Sequence, residues 1–370
     1  MDTATAQNNQ TVGLQKKEDD STDQIRILGE RIEKAQIPSD LREHLIERIK
    51  RLALLRASSG YLGPNYIMEY ETALSYINWI LNLPWEKRTQ DLLDLIKAKE
   101  ILNKNHYGLM SIKDRILEYL ASIILNAKRE TSGKILHAPI LCLVGLAGTG
   151  KTTLGASIAE SLGRKFERIP FGGMGDARAL RGQSKVLPDA EPGSVIKKLV
   201  HAQSKNCVIL LDELDRISQD SRSDVMGVLV ELLDAEQNKA FMDHYIDYPF
   251  DFSEVLFIAT ANNTSNISTA VLDRLEILQM PAYNDSEKTV IGRDYLFPKI
   301  RNMIGLSQNQ LTVDEPVWPQ IIRPLGFDSG IRSLERTIEG ICRKTARDIV
   351  EGKNQSIRVS VENIKEFLST

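Results

Sequence analysis

Pro139-Ile-Leu-Cys-Leu-Val-Gly145-Leu-Ala-Gly148-Thr-Gly150-Lys151-Thr152 runs an apolar strand into a glycine-rich turn that ends in Lys-Thr. It fits G-x-x-x-x-G-K-[ST]. Glycines let backbone N–H groups curl around phosphates, a lysine supplies a point charge to the β/γ-phosphates, and the following hydroxyl can sit on Mg²⁺. The surroundings agree, because the strand precedes the turn and a helical pattern, Thr152 to Leu162, follows it. A glycine-rich turn with a chance lysine would not need that context. Gly145, Gly148, Thr149, Gly150, Lys151, Thr152 and Thr153 are therefore read as the nucleotide-phosphate cradle.

Working outward, Cys207-Val-Ile-Leu-Leu-Asp212-Glu213 reads as a buried strand delivering two carboxylates at its C-terminal end, where ligands of such sheets bind. Asp212 is expected to join Thr152 in holding Mg²⁺. Glu213 is expected to polarise the water that attacks the γ-phosphate. Two acids capping the next helix would look the same in isolation, but a phosphate loop upstream changes their meaning. The strand beginning at Val255 leads to Asn262, which could hold the attacking water or merely form a turn. Arg274, in Leu272-Asp273-Arg274, could pair with Asp273 on the surface, or in a ring could reach a neighbour's γ-phosphate. Arg332, in Gly330-Ile331-Arg332-Ser333-Leu334-Glu335-Arg336, opens a helix and could sense the γ-phosphate.

The chain's rhythm gives the fold class. Residues 21–130 read as helices only, with apolar faces at Ile25, Leu28 and Ile32, then Leu41, Leu45, Ile49 and Leu52. Leu74, Ile77 and Leu81 mark a third helix after the Gly63-Pro64-Asn65 break, and two more are expected over Asp91–Asn103 and Ser111–Ala127. From Ala138, strand candidates Ile140–Val144, Phe166–Pro170, Val208–Leu211, Val255–Ala259 and Glu276–Met280 alternate with helices, the signature of a parallel sheet wrapped by helices. Beyond Ser286 helices return, with one short strand at Ser356–Ser360 and a last helix over Glu362–Leu368. The expected division is a disordered tail (1–20), a helical N-terminal domain (21–130), an α/β nucleotide-binding core (131–283) and a small, mostly helical lid (284–370).

Composition gives several classes no support, without excluding a local basic patch. A net charge of −3 over 370 residues, with pI near 6.1, gives no global basic field for nucleic acid. No apolar run has the length of a membrane span. Cys142, Cys207 and Cys342 are scattered and read as buried thiols in a reducing, cytoplasmic compartment.

The phosphate loop, the Leu-Leu-Asp212-Glu213-Leu-Asp215 strand end, Leu233-Asp234-Ala235-Glu236-Gln237-Asn238, Phe241-Met242-Asp243-His244-Tyr245, Leu272-Asp273-Arg274 and the Gly330–Arg336 string together resemble the AAA+ module of Lon proteases. Asn105-His106-Tyr107-Gly108-Leu109, and the stretch from Ile112 to Leu120 after it, are similar too. So is the helical segment from Ile77-Asn78-Trp79 to Pro84-Trp85. The resemblance implies a hexameric ring that hydrolyses ATP, with the residues above in their argued roles and with His106, Tyr107, Gly108 and Ile112 lining the adenine pocket.

Departures from the family shape the rest of the expectation. Lon proteases carry a peptidase domain with a Pro-Lys-Asp-Gly-Pro-Ser type string, and no such string occurs here, so no intrinsic peptidase site is expected in this chain. Between Arg181-Gly182 and Pro192-Gly193 the family carries an aromatic-aliphatic pair on a polypeptide-gripping pore loop. Leu187-Pro188 stands there instead, followed by Asp189 and Glu191. Leucine keeps apolar grip without a large flat ring, and proline stiffens the loop. Leu146-Ala147 replaces two prolines in the phosphate loop, and one extra residue separates Asn262 from Arg274. The resulting expectation is a Mg-ATP-driven motor that remodels or unfolds polypeptide clients or delivers them to a separate peptidase chain. A nucleotide-switched ring scaffold and a portion of an ATP-dependent Lon serine protease acting in protein quality control stay open as alternatives.

Overall fold

The computed structural model describes residues 24–59, 64–128, 139–323 and 330–368. The expected tail, residues 1–20, and the boundary at 130/131 lie outside them, as do Gly63 of the expected break and Ala138. The described residues form two compact units that do not follow chain order. One gathers the described part of Met1–Arg88 with Arg178–Lys205 and Asn238–Phe252, and the other gathers Thr89–Ala177, Asn206–Gln237 and the described part of Ser253–Thr370.

In the first unit, a helix over 24–34 buries Ile25, Leu28 and Ile32, and the helix Ser39–Ser59 buries Leu41, Leu45, Ile49 and Leu52, the two expected stripes. The third helix, Pro64–Asn82, turns differently from the expectation. Leu74 and Leu81 are half-buried, and the buried face is Ala73, Tyr76, Ile77 and Ile80. Tyr76 sets that face. Its hydroxyl donates to the Ile246 carbonyl at 2.9 Å, while Arg48 and Lys185 lie 5.1 and 4.8 Å from its ring centroid. Trp85, Tyr248, Phe250, Phe252 and Phe241 continue the core as a chain of ring contacts.

The segment holding Leu187 and Pro188 also belongs to this unit, and one buried carboxylate fixes its base. Asp243 accepts the backbone N–H groups of Gly193 (2.7 Å), Tyr245 (2.8 Å) and Ile246 (3.0 Å). Gly193 has no room for a side chain, since a Cβ there would stand 2.0 Å from the Leu180 carbonyl oxygen. The Gln183 N–H closes the stem onto the Glu191 carbonyl, and Val186 and Leu187 project into solvent, 85% and 49% exposed.

The second unit is built on a five-stranded parallel sheet. Its strands are β1 (Ile140–Val144), β2 (Phe166–Pro170), β3 (Val208–Asp212), β6 (Leu256–Ala261) and β7 (Leu275–Gln279), in the order β2-β3-β6-β1-β7. The interposed β4 (Phe241–Met242) and β5 (Pro249–Phe250) form an antiparallel pair in the first unit. β1 and β3 bury nearly every side chain, as strands covered on both faces must. The sheet is the expected α/β P-loop core. β1 lies between β6 and β7, so the phosphate loop leaves an interior strand at the C-terminal edge of the sheet.

The helix expected over Asp91–Asn103 runs instead from Leu95 to Asn105. Asp94 caps it, accepting the N–H groups of Ile96 and Lys97. Asp91 has other work: its carboxylate takes both Nε and Nη2 of Arg164, at 2.9 and 2.7 Å. In the lid, Phe297–Ile304, Trp318–Ile322 and Arg332–Val350 pack around Trp318, Ile338, Ile341 and Cys342. The short strand expected near Ser356–Ser360 is β9 (Ile357–Val359), and it has a parallel partner, β8 (Leu311–Val313), that the sequence pattern hides. No described helix is long and apolar enough to cross a membrane.

Candidate nucleotide site

The helix Lys151–Leu162 begins without a side-chain cap, and its N-cap is Gly150 at φ +89°. Gly148 is also left-handed, at φ +82°. Glycine adopts such angles without the Cβ penalty, so the chain can double back and aim the first-turn N–H groups out of the helix. Gly145 is required for closeness: a Cβ there would meet the Met280 carbonyl oxygen at 2.7 Å.

Lys151 is buried at this turn. Its ammonium donates to the carbonyls of Gly145 (2.7 Å) and Leu146 (3.0 Å) and to Asn262 Oδ1 (3.1 Å). Burial pulls its pKa below the usual lysine range, against the opposing pull of Asp212 and Asp215. Thr152 Oγ1 lies 3.4 Å from both oxygens of Asp212. A hydroxyl and a carboxylate are hard oxygen donors of the kind Mg²⁺ takes alongside nucleotide phosphates, so the donor set fits that ion. Thr149 is fully buried and donates to the Leu146 carbonyl, and Thr153 donates to the Gly150 carbonyl. The structure thus brings two bonded pairs, Lys151 with Asn262 and Thr152 with Asp212, to one helix start.

Glu213 follows Asp212 in the left-handed region, φ +61°, a strained conformation for a residue with a side chain. Its carboxylate is 3.4 Å from Arg216 Nη1. Asn262 is held from behind, its backbone N–H donating to Asp215 Oδ1 at 3.0 Å. Arg332 also arrives here: a Cβ on Gly148 would lie 3.4 Å from its Cγ. The Ile331 N–H donates to the Gly148 carbonyl at 3.1 Å, and Gly330 approaches so closely that a Cβ would stand 2.5 Å from the Ala147 carbonyl oxygen. Ile331 packs against both the sheet core and the lid core, so the lid helix is anchored directly on the phosphate loop.

Arg274 has other partners. It neither joins these residues nor pairs with Asp273, the surface alternative raised by the sequence. Its guanidinium bonds Asp234 Oδ2 at 2.8 Å and the Ala270 carbonyl at 2.7 Å. The His106–Ile112 segment sits on the phosphate-loop helix. His106 is buried with Nε2 2.9 Å from Ser157 Oγ, and the Lys113 ammonium donates to the His106 carbonyl at 2.6 Å. Gly108 and Leu109 are successive left-handed residues, Ile112 is in the core, and the Tyr107 ring faces Tyr295 at 6.3 Å.

Arg168, Thr260 and Asp215 went unassigned in the sequence reading. Arg168 Nε stands 2.6 Å from Asp212 Oδ2, Thr260 bonds Asp212 and Glu213, and Asp215 orients Asn262. Asp215 and Thr260 lie inside the motifs that named their neighbours. Arg168 depends on β2 lying beside β3, which no local pattern reveals.

Comparison with known proteins agrees with this geometry. Residues 141–281 match the model of the ATPase family associated with various cellular activities (AAA), and residues 302–357 match that of the Lon protease AAA+ ATPase lid domain. The chain thus carries an AAA ATPase domain followed by a Lon-type AAA+ lid domain. Similar curated proteins include the Lon protease of Lawsonia intracellularis, 43% identical over 94% of this chain and 40% of the relative. The Lon protease of Syntrophomonas wolfei is 41% identical over 95% of this chain and 42% of its own length. Lon protease 2 of Herpetosiphon aurantiacus is 40% identical, with 95% and 42% covered. The chain therefore spans about two fifths of the curated relatives it matches.

His106 makes the site sensitive to acid. Burial, reinforced by the Lys113 charge, lowers its pKa from 6.5 to about 4, with a ring N–H donated to the Thr153 backbone carbonyl acting the other way. The folded state then binds fewer protons than the unfolded state between those two values, so stability falls as pH drops through that window. Lowering the pH to about 5 should cost on the order of 2 kcal/mol through this residue. Thermal melts of the parent and of His106→Gln, compared at neutral pH and near pH 5, should show a smaller acid loss in the variant. Equal losses would contradict the assignment.

Proposed function

We propose that this chain binds and hydrolyses Mg-ATP and uses the cycle to remodel or unfold polypeptide clients. The observation that carries the reading is the convergence of Lys151, Thr152, Asp212 and Asn262 at an uncapped helix N-terminus. Lys151 exchanges its carbonyl partners for the β/γ-phosphates, the first-turn N–H groups take phosphate oxygens, and Asn262 orients the attacking water. Glu213 accepts that water's proton. Thr152 and Asp212 hold Mg²⁺, whose charge offsets the negative charge gathering on the phosphates in the transition state. His106, Tyr107, Gly108 and Ile112 form the adenine side, and Arg332 reports the γ-phosphate to the lid it begins. With these roles goes the division into a helical N-terminal domain, an α/β core and a lid.

Arg274 is proposed to act across a homohexameric ring, with Asp234 holding its guanidinium until a neighbour's nucleotide competes for it. The client-facing element is the loop closed by Gln183 and Glu191. Its exposed apolar tip is Val186-Leu187, with Pro188 beside it, and it offers grip without an aromatic ring. No peptidase step is assigned to these residues. In a second reading, favoured by relatives that are named proteases, it is the motor portion of such a protease. A cytoplasmic setting fits the three free, buried thiols.

Two measurements test the reading. Glu213→Gln should lower the rate of phosphate release by about 100-fold or more while nucleotide binding persists. Release at the parent rate would remove Glu213 from the role of base. Leu187→Tyr should speed ATP-dependent unfolding of a tagged, stable reporter, and an unchanged rate would argue that the loop does not limit client handling.

A further inference from the structure

The Asp212 carboxylate and the Glu213 backbone are tied together by a residue that sits on a different strand. β3 and β6 pair in regular parallel register from Val208↔Leu256 to Leu211↔Ala259, and there the backbone ladder stops. The next position would set Asp212 beside Thr260. β3 cannot continue the ladder, because Glu213 swings into the left-handed region. Its N–H would be orphaned at a part-buried position, at a cost comparable to a lost hydrogen bond.

The Thr260 side chain replaces the missing ladder partner. Its hydroxyl oxygen accepts the Glu213 N–H at 2.9 Å, and its single proton goes to Asp212 Oδ1. Both capacities of the hydroxyl are engaged, and Thr260 is fully buried, so water cannot substitute. Asp212 Oδ2 is held by Arg168, leaving the carboxylate fixed at both oxygens, with Thr152 in reach of each. One hydroxyl thus sets the angle of the metal-side carboxylate and stabilises the strained backbone that aims the proposed base.

We propose that Thr260 is a positioning residue that couples Asp212 to Glu213, so that the metal-holding geometry and the placement of the base rise and fall together. The inference deepens the Mg-ATPase reading and rests on it. Losing a supporting hydrogen bond behind a metal-holding carboxylate costs about 10- to 100-fold in metal affinity or activity.

Thr260→Val and Thr260→Ala both delete the hydroxyl but change volume differently, and Thr260→Ser keeps the hydroxyl without the methyl. Binding of fluorescent ATP measured in EDTA should be the same in all four proteins. The Mg²⁺ concentration that half-saturates the metal-dependent change in that signal should rise about 10-fold or more in Thr260→Val and Thr260→Ala and return towards the parent value in Thr260→Ser. Phosphate release should follow the same order. The proposal is overturned if the Mg²⁺ midpoint is unmoved in both hydroxyl-free variants, if Thr260→Ser behaves like Thr260→Val, or if affinity in EDTA drops as far as the metal response. A parent chain that binds nucleotide but releases no phosphate would refute the ATPase reading, while the Mg²⁺ midpoints would still decide the role of Thr260.

Discussion

A helix that starts without a cap is the constraint around which the second unit is arranged. Helix starts ordinarily satisfy their free N–H groups with a Ser, Thr, Asp or Asn side chain, and the start at Gly150-Lys151 has none. Partial positive charge is therefore concentrated at the C-terminal edge of the sheet, and Lys151 adds a full charge to it. The protein accommodates that density with oxygens: the carbonyls of Gly145 and Leu146, the amide of Asn262, and Asp212 one side chain further out. An anion brought to this place would replace those oxygens as partners of Lys151, so the buried ammonium would exchange interactions and not be left unpaired.

The lid depends on the same turn. Gly330 and Ile331 lie against the backbone of Ala147 and Gly148 at distances that leave no room for a larger residue at 330. Ile331 then joins two apolar cores. A change at the phosphate loop is thus passed directly into the first turn of the helix Arg332–Val350, through a hydrogen bond and packed side chains. Arg332 begins that helix, which places the residue proposed to sense the γ-phosphate at the lid's point of attachment.

The five sheet strands were legible because β1, β3 and β6 are short apolar runs and β2 and β7 keep apolar residues among polar ones, and the phosphate loop because its glycines have a fixed spacing. Order in the sheet was not legible, and Arg168 and Thr260, whose contacts depend on it, were missed with it. Arg168 meets Asp212, and Thr260 meets Glu213, across strands separated by more than forty residues of chain. β4, β5 and β8 are too short to show alternation. The Leu74, Ile77 and Leu81 stripe was read from aliphatic spacing alone, whereas Tyr76, with a hydroxyl partner and two cations on its ring, rotates the helix onto another face. Local hydrogen bonding explains the late start of the helix Leu95–Asn105, since Asp91 is taken by Arg164 and Asp94 is left to cap.

In the proposed cycle Lys151 releases its carbonyl and amide partners for phosphate at the uncapped helix start. Calorimetric titration of ATP into the parent chain and into Lys151→Ala, each with Mg²⁺, addresses this most directly. A charge-assisted hydrogen bond contributes about 1.5–3 kcal/mol, so affinity should fall by about 10- to 100-fold in the variant. Equal affinities would contradict the account, because the buried ammonium would then have no part in holding the nucleotide.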